Sequence, residues 1–267
     1  MQKNILITLG AILILGGAGY GYYKWQAGSS VSSTTNATST TTTNSEFPIS
    51  ASSSAPIKIK PLPVPSTSGL PPHPVINRPF TIPTNFSAEE TAILKSDIAQ
   101  IRAVLQKDPE DLNAWIELGL RYKAINDYQG ALESWEYVSL MSPTNIVSYN
   151  NLGNLYHYEL RDYVRAEMSF LQAIKNDPHY ILSYANLYDL YRLSYKKDTN
   201  KAEDILQQGI KQNPKAIDLV VALATYYRDK GNVADAKTYY QRAITLATEV
   251  NNANLVQSLK AELQALE

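Results

Sequence analysis

The stretch "SYNNLGNLY", Ser148 to Tyr156, decides the fold of this chain. It lies in a segment with helical periodicity, although asparagine is a mediocre helix former and a glycine inside a helix costs about 1 kcal/mol relative to alanine. Three other stretches align with it without gaps: "AWIELGLRY" (Ala114 to Tyr122), "SYANLYDLY" (Ser183 to Tyr191) and "LVVALATYY" (Leu219 to Tyr227). The stretch is therefore one copy of a repeated unit, and its glycine needs a packing role that offsets the cost.

The spacing of prolines indicates the same repeat. Downstream of a proline-rich stretch that ends near residue 84, only Pro109, Pro143, Pro178 and Pro214 remain, and they are separated by 34, 35 and 36 residues. Each follows a short polar residue, as expected for a turn between helices. A fixed period in this range is typical of a solenoid built from helix pairs.

The aligned positions resemble the tetratricopeptide repeat family, whose pattern asks for a large residue, Leu-Gly, Tyr, Ala, an aromatic residue, Ala and Pro. The second copy supplies all of them: Tyr149, Leu152, Gly153, Tyr156, Ala166, Phe170, Ala173 and Pro178. The third copy departs from the pattern, with Tyr188 and Gly209 at small-residue positions and two extra turn residues. The resemblance covers roughly residues 112–250. It implies an all-α solenoid of about four helix-turn-helix repeats, near 112–145, 146–180, 181–216 and 217–250.

The repeat explains the opening glycine and predicts helical caps. Gly119 and Gly153 are expected where the first helix of a repeat crosses the second, because a side chain there would push the helices apart. Solenoid ends must be covered, because single repeats cannot bury their apolar faces alone. We expect caps over residues 87–108, where Ser87 and Glu90 form a capping box, and over residues 251–267. The whole solenoid domain is predicted to span 87–267.

The N-terminal residues 1–27 contain an apolar run, "NILITLGAILILGGAGYGYY", from Asn4 to Tyr23. A helix of about 20 uncharged residues spans roughly 30 Å, the thickness of the hydrocarbon core of a bilayer. Aromatic residues cluster at its C-terminal end, as at a membrane interface. These features predict a single transmembrane helix. The alternative is a cleaved signal peptide with Gly16-Gly17-Ala18 as its cleavage site.

Residues 28–86 are rich first in Ser and Thr and then in Pro. Such a sequence cannot bury enough apolar surface to fold alone, and its prolines favour an extended spacer. We interpret residues 28–86 as a disordered stalk between the membrane and the solenoid. The alternative is a docking segment for a partner that recognises proline-rich sequences.

The family builds its inner, concave wall from positions of the first helix that do not enter the core. By helical phase, the resemblance implies a peptide-binding groove that holds an extended peptide or a helix. Asparagine both donates and accepts hydrogen bonds, so a row of asparagines could bind a peptide backbone regardless of its sequence. The alternative is that these asparagines only cap or solvate helices. The candidate groove residues are Lys123, Asn150, Asn154, His157, Asn186, Asp189, Arg192 and Arg228.

The composition and the short motifs also argue against several classes of function. The chain has no cysteine and three histidines without metal-ligand spacing, and it has no glycine-rich phosphate loop. We therefore predict no catalytic residue, no metal site and no cofactor, and hence no enzyme. A net charge of −1 gives no argument for nucleic acid.

The resulting expectation is a single-pass membrane scaffold at the cell envelope, with its solenoid outside the cytoplasm and a protein partner on its concave surface. Copies could also form a homo-oligomer. Two alternatives remain open. One is a structural envelope protein that binds wall polymer or itself. The other is a secreted soluble protein after signal cleavage.

Overall fold

The computed structural model describes residues 71–267 of the chain. The predicted membrane span, residues 1–27, and the predicted stalk as far as residue 70 lie outside the described residues. The described part contains helices and no strand, which confirms the all-α prediction. The helices are α1 (Ala88–Lys107), α2 (Leu112–Ala124), α3 (Tyr128–Met141), α4 (Ile146–Asn154), α5 (Tyr163–Asn176), α6 (Ile181–Asp189), α7 (Lys201–Gln212), α8 (Ile217–Asp229), α9 (Val233–Glu249) and α10 (Ala253–Gln264). None of these ten helices is long and apolar enough to cross a bilayer.

The helices form four pairs, α2–α3, α4–α5, α6–α7 and α8–α9, in which the two members contact each other. These pairs coincide with the four predicted repeats. Helix α1 packs on α2 at one end, and α10 packs on α9 at the other. Leu94, Ile98, Ile101 and Leu105 bury the apolar stripe of α1. The capping box is present, because Ser87 Oγ accepts from the Glu90 amide and the Glu90 carboxylate accepts from the Ser87 amide.

The turn inside each pair has a residue in the left-handed backbone conformation. These residues recur every 35 positions: Asn126 (φ 62°), Arg161 (φ 54°), Lys196 (φ 59°) and Gly231 (φ 74°). A residue in this conformation ends one helix and redirects the chain into the next, and glycine or asparagine adopts it at least cost. The backbone therefore keeps the repeat period even where the side chains depart from it.

Glycine allows the two helices of a pair to cross closely, as predicted. A Cβ atom built on Gly119 would lie 2.3 Å from Nε1 of Trp135, and one built on Gly153 would lie 2.4 Å from Cε1 of Phe170. Both aromatic rings are fully buried. The space that glycine leaves is filled by an aromatic ring from the second helix, so its cost in helix propensity is offset by packing.

The third repeat solves the same problem differently. Tyr188 replaces the glycine and is buried, while the smaller Leu206 stands where the other repeats have Trp135 or Phe170. Gly209 instead makes room on α7, because a Cβ there would come within 2.7 Å of Leu219 and 2.9 Å of the Tyr184 ring.

Two of the first helices end in a π-helical turn. These turns are Leu155–Glu159 after α4 and Leu190–Ser194 after α6. They occur in the second repeat, which has one extra turn residue, and in the third repeat, which has two. A π-helical turn accommodates an inserted residue without breaking the helix.

Residues 71–86, which we call the strap, correct the predicted boundary of the stalk. Instead of continuing a disordered spacer, the strap packs against α1 and the first repeat at the N-terminal end of the solenoid. Its apolar side chains Ile76, Phe80, Ile82 and Phe86 contact the hydrophobic core, and Pro74 is buried. The composition was misleading because prolines suit an extended segment that packs on a surface as well as one in solvent.

Polar contacts hold the strap in one register. Arg78 Nη1 donates to Oε2 of Glu133 at 2.9 Å, and Arg78 Nη2 lies 3.3 Å from Oδ1 of Asp127. The guanidinium of Arg102 lies 4.9 Å from the centre of the Phe80 ring, and Gln106 donates to Asn77. Asn77 contacts Gln106, and the later Phe80 contacts the earlier Arg102, so the strap runs antiparallel to α1.

Candidate functional site

The first helices of the repeats form the inner row of the solenoid. Helix α4 contacts α6, and α6 contacts α8. Within residues 71–267 the second helices α3, α5, α7 and α9 do not contact one another as closely. In a curved stack the closer row lies on the inside, so the accessible surface of α2, α4, α6 and α8 is the inner face on which the predicted groove would lie.

Two of the predicted groove asparagines are inside the protein rather than on this face. Asn150 and Asn186 are only 3% and 4% exposed. Asn186 Nδ2 donates to Oδ1 of Asn150 at 3.1 Å, and the buried Ser183 also donates to that oxygen, at 3.4 Å. The expectation that both amides contact a peptide is therefore corrected. They bond to each other because neighbouring first helices approach closely at this point.

Four other candidates share one position in the repeat: Lys123, His157, Arg192 and Arg228. Each contacts the next structural unit along the solenoid. Lys123 Nζ lies 3.7 Å from Oε1 of Glu159, His157 Nε2 lies 2.8 Å from Oγ of Ser194, and Arg192 Nη1 lies 3.9 Å from Oδ2 of Asp229. Arg228 pairs with Glu262 of the final helix. We call these four contacts the latch row, because each joins one repeat to the following repeat or cap.

Burial shifts the pKa of two residues of the latch row, Lys123 and His157. It lowers the pKa of Lys123, and the nearby carboxylate of Glu159 acts in the opposite direction. Burial also lowers the pKa of His157 to about 4, so the imidazole is neutral at pH 7. His157 is 3% exposed, and its Nδ1 has no hydrogen-bond partner among the described residues. The surrounding rings are Tyr158, at 3.9 Å, and Tyr163, at 6.2 Å.

Asn154 and Asp189 are the two remaining candidates on the inner face. They occupy the same helix position in consecutive repeats, and both are half-buried. Neither side chain hydrogen-bonds to a described residue. Burial raises the pKa of Asp189 to about 6, and nearby Arg192 only partly counteracts it. Asn151, also half-buried and without a side-chain hydrogen bond, lies one turn from Asn154.

Sequence reasoning missed the cleft between α7 and α9, on the side of the second helices. It has a volume of about 450 Å³ and is lined by Gln207, Ile210, Lys211, Pro214, Tyr239 and Arg242. The sequence did contain an indication of this cleft. Lys211 and Arg242 are basic residues at positions that are uncharged in the first repeat. Within residues 71–267, no group of three or more His, Asp or Glu side chains could hold a metal ion.

Comparison with known proteins agrees with this architecture. Two sequence profiles described as tetratricopeptide repeats match residues 146–180 and 221–254. Both matches support the tetratricopeptide repeat family. The first covers α4 and α5, and the second covers most of α8 and all of α9.

A solved structure shows the same fold. The crystal structure of MamA superposes with a TM-score of 0.50 at 20% identity, covering 64% of this chain and 98% of that chain. The structure of pilF from Pseudomonas aeruginosa gives a TM-score of 0.49 at 18% identity, covering 67% and 86%. At these identities the MamA likeness shows the fold alone.

A curated relative in Homo sapiens, the antiviral innate immune response effector IFIT1, is 22% identical over 165 residues. The match covers 60% of this chain and 32% of IFIT1. The chain therefore spans about a third of the length of that relative.

Proposed function

We propose that this chain is a scaffold that binds a protein partner on the inner face of its solenoid. The observation that carries the proposal is the contrast between two sets of polar side chains. Asn150 and Asn186 are buried and bonded within the protein. Asn151, Asn154 and Asp189 are half-buried on the inner face and make no side-chain hydrogen bond to a described residue.

This contrast supports a partner that supplies both donors and acceptors. Partly desolvated polar groups are costly unless they find hydrogen bonds. Asn offers a donor and an acceptor, and ionised Asp accepts only, which together suit the backbone of a peptide or the side chains of a helix. A raised pKa at Asp189 follows from the same partial desolvation.

The partner can be captured by crosslinking. A photo-reactive residue placed at Asn154 of the full chain, in intact cells, should yield discrete protein adducts on illumination. The same residue placed at Gln257, exposed on α10, is the control and should yield far fewer. Val147 is exposed in the first turn of α4. Adding Asn151→Ala, Asp189→Asn and a bulky residue at Val147 to the chain with the photo-reactive residue at Asn154 should abolish a genuine capture without lowering the unfolding temperature. Equal adducts from both positions, or none from Asn154, would contradict an inner-face partner.

We further propose that residues 1–27 tether this scaffold to a membrane, with the solenoid outside the cytoplasm. Support comes from the length of the apolar run and the aromatic residues at its end. An anchored chain should stay with membranes after extraction at alkaline pH and should retain its N-terminal residues by mass measurement. Release at alkaline pH, with a mature N-terminus beyond Ala18, would instead indicate the secreted form.

The orientation has its own test. Protease is added to cells whose outer barriers have been made permeable while the cytoplasmic membrane stays sealed. It should cut the solenoid if the solenoid lies outside the cytoplasm. A cytoplasmic marker protein should survive the same treatment. Protection of both would reverse the proposed orientation.

A further inference from the structure

The strap fills the first cleft on the side of the second helices. It lies along α1 and reaches α3 through Arg78, which pairs with Asp127 and Glu133. At the far end of this cleft, the His73 ring lies 6.2 Å from that of Trp115, beside the turn at Pro109. A stretch of proline-containing chain, with a turn at residues 75–78, therefore packs between α1 and α3.

The cleft between α7 and α9 is the equivalent of this one at the last repeat. The two are related by a shift of 105 residues without gaps, as shown by the paired landmarks Pro109 and Pro214, Tyr122 and Tyr227, and Ala131 and Ala236. Under the same shift, the strap-contacting residues Arg102 and Gln106 of α1 correspond to Gln207 and Lys211 of α7. Both lysine and glutamine line the cleft at the last repeat. The last cleft thus has the position of the first, and within the described residues no strap covers it.

The charged residues of the last cleft differ from those of the first, where Arg102 and two carboxylates surround the strap. The carboxylates that hold Arg78, Asp127 and Glu133, correspond to the uncharged Asn232 and Thr238. Gln106, which binds Asn77 of the strap, corresponds to Lys211, and Tyr137 corresponds to Arg242. The two carboxylates that pair with the arginine of the strap have no counterpart in the last cleft, whose lining contains Lys211 and Arg242.

The basic groups of the last cleft are not neutralised by the protein. Lys211 is exposed and forms no ion pair with a described residue. Arg242 Nη2 donates to the carbonyl of Pro214 at 3.0 Å, which leaves its charge unpaired. The carboxylate of Glu203 is engaged by Tyr227 at 2.7 Å and by Gln207 at 2.9 Å.

We propose that the cleft between α7 and α9 binds a segment of another protein that carries a carboxylate side chain. The segment lies as the strap lies in the first cleft, with its carboxylate against Lys211 and Arg242. Tyr239 and Ile210 supply the apolar floor. This surface is separate from the inner face, so the solenoid would hold two segments at once, one on each side.

A synthetic peptide tests the proposal directly. The probe is the strap sequence of residues 71–84 with the changes Asn77→Asp and Arg78→Gln, labelled with a fluorophore, and the unmodified strap peptide is its control. Fluorescence anisotropy with the full chain should show saturable binding of the probe. The unmodified peptide should bind at least five-fold more weakly, because its arginine meets the basic lining. Raising the salt concentration should weaken binding of the probe, since the interaction is between exposed charges.

Substitutions in the protein identify the site. The double variant Lys211→Glu, Arg242→Glu should weaken binding of the probe at least ten-fold, and Lys211→Met, Arg242→Met should weaken it less. Lys175→Glu is the matched control, because Lys175 is exposed and stands three residues before its turn proline, as Lys211 does. It should bind like the unmodified chain. Unfolding temperatures of all variants establish that they are folded.

Three results of the peptide-binding assay would overturn the proposal: no saturable binding, binding that the double variant leaves unchanged, or equal binding of the two peptides. The second would mean that the peptide displaces the strap from its own cleft. Self-association of the full chain that disappears in the double variant would also overturn it, because the occupant would be a second copy. Capture at Asn154 is independent of all these results, so failure here leaves the inner-face scaffold intact.

Discussion

Asn186 and Asn150 join two consecutive repeats through one buried amide-to-amide hydrogen bond of 3.1 Å. Removing one partner leaves the other buried with too few hydrogen bonds, which costs roughly 1–3 kcal/mol. We therefore expect Asn186→Ala and Asn150→Ala each to destabilise the fold by about that amount in urea unfolding. The double variant should lose less than the sum, because the second change removes a group that is already unpaired.

Asn151→Ala and Asn154→Ala serve as the controls for this prediction. These amides make no hydrogen bond to a described residue, so each change should alter the free energy of unfolding by less than about 0.5 kcal/mol. Additive losses at Asn150 and Asn186 would show that the two amides are not coupled.

Adding a methyl group at the helix crossings should destabilise the protein. A Cβ at residue 119 meets the indole of Trp135, whose Nε1 is tied to the carbonyl of Ile116 by a 3.1 Å hydrogen bond. A Cβ at residue 153 meets the ring of Phe170, which has no polar tether. Overpacking costs about 1–3 kcal/mol. Thermal unfolding should therefore show losses for both Gly→Ala changes, with the larger loss at Gly119.

A smaller partner side chain provides the rescue for this prediction. Phe170→Leu alone should be destabilising, but combined with Gly153→Ala it should recover part of the loss, as Leu206 accompanies Tyr188 in the third repeat. Two losses that simply add would contradict the packing explanation.

Arg161 offers a stabilising substitution. It holds a left-handed backbone conformation, at φ 54°, that costs an L-residue roughly 1–2 kcal/mol, and its exposed side chain makes no ion pair with a described residue. Arg161→Gly should therefore stabilise the fold by about 0.5–1 kcal/mol, after allowing for the greater freedom of glycine in the unfolded chain. The measurement is the midpoint of chemical denaturation.

Lys196→Gly is the contrasting change. Lys196 has the same conformation, at φ 59°, but its Nζ binds Glu167 at 2.7 Å. At this position the gain from relieving the left-handed backbone conformation is offset by the loss of the ion pair. Lys196→Gly should therefore stabilise the fold less than Arg161→Gly does. An equal gain at both positions would mean that the ion pair contributes nothing.

His157 should make the fold sensitive to acid. Its pKa is about 4 in the folded protein against an ordinary value of 6.5, so the unfolded chain binds the proton first as the pH falls. The contribution of neutral His157 to the free energy of unfolding is fully present above pH 6.5. It is lost as the pH falls towards 4, by on the order of 3 kcal/mol in total. Urea unfolding at pH 7.0 and pH 4.5 should show a smaller loss in His157→Gln than in the unmodified chain.

Asp189 acts in the opposite direction over almost the same range. Its pKa is raised to about 6 in the fold, so the folded protein takes up this proton first, and stability rises as the pH falls from 6 towards 3.8. Asp189→Asn should therefore lose more stability between pH 7.0 and 4.5 than the unmodified chain does. Identical pH dependence in all three proteins would show that neither group is shifted by burial.

The strap should be part of the folded domain. A chain beginning at residue 87 loses the contacts of Ile76, Phe80 and Ile82 with the core, and we expect it to be roughly 2–4 kcal/mol less stable than one beginning at residue 71. Single changes localise the effect. Phe80→Ala should be clearly destabilising, while Val75→Ala, at a side chain 69% exposed, should be nearly neutral. Equal unfolding midpoints for the two truncated chains would contradict this prediction.

The repeat architecture could be predicted from the sequence because it depends on local, recurring signals. The period of the prolines, the glycines at helix crossings and the capping box at Ser87 are each written in a few adjacent residues. The strap could not be predicted in this way. Its prolines are compatible with both a free and a packed segment, and what distinguishes them is a set of distant partners, Asp127 and Glu133 for Arg78.

The candidate site was only partly predictable for a similar reason. Helical phase correctly separates the core positions from the others, but it does not say how closely the neighbouring first helix approaches. Asn150 and Asn186 are outside the core of their own repeats and are nevertheless buried between repeats. The position shared by Lys123, His157, Arg192 and Arg228 is likewise used between repeats, which a reading of one repeat at a time does not reveal.

The antiparallel course of the strap along α1 also determines how the domain would respond to mechanical force. The preceding chain joins the flank of the solenoid beside the Pro109 turn. A pull directed along the strap would load its attachments to Arg102, Gln106 and Glu133 in shear, so that they resist together. A pull away from the surface would break these contacts one at a time, and the strap would separate from the solenoid at a lower force.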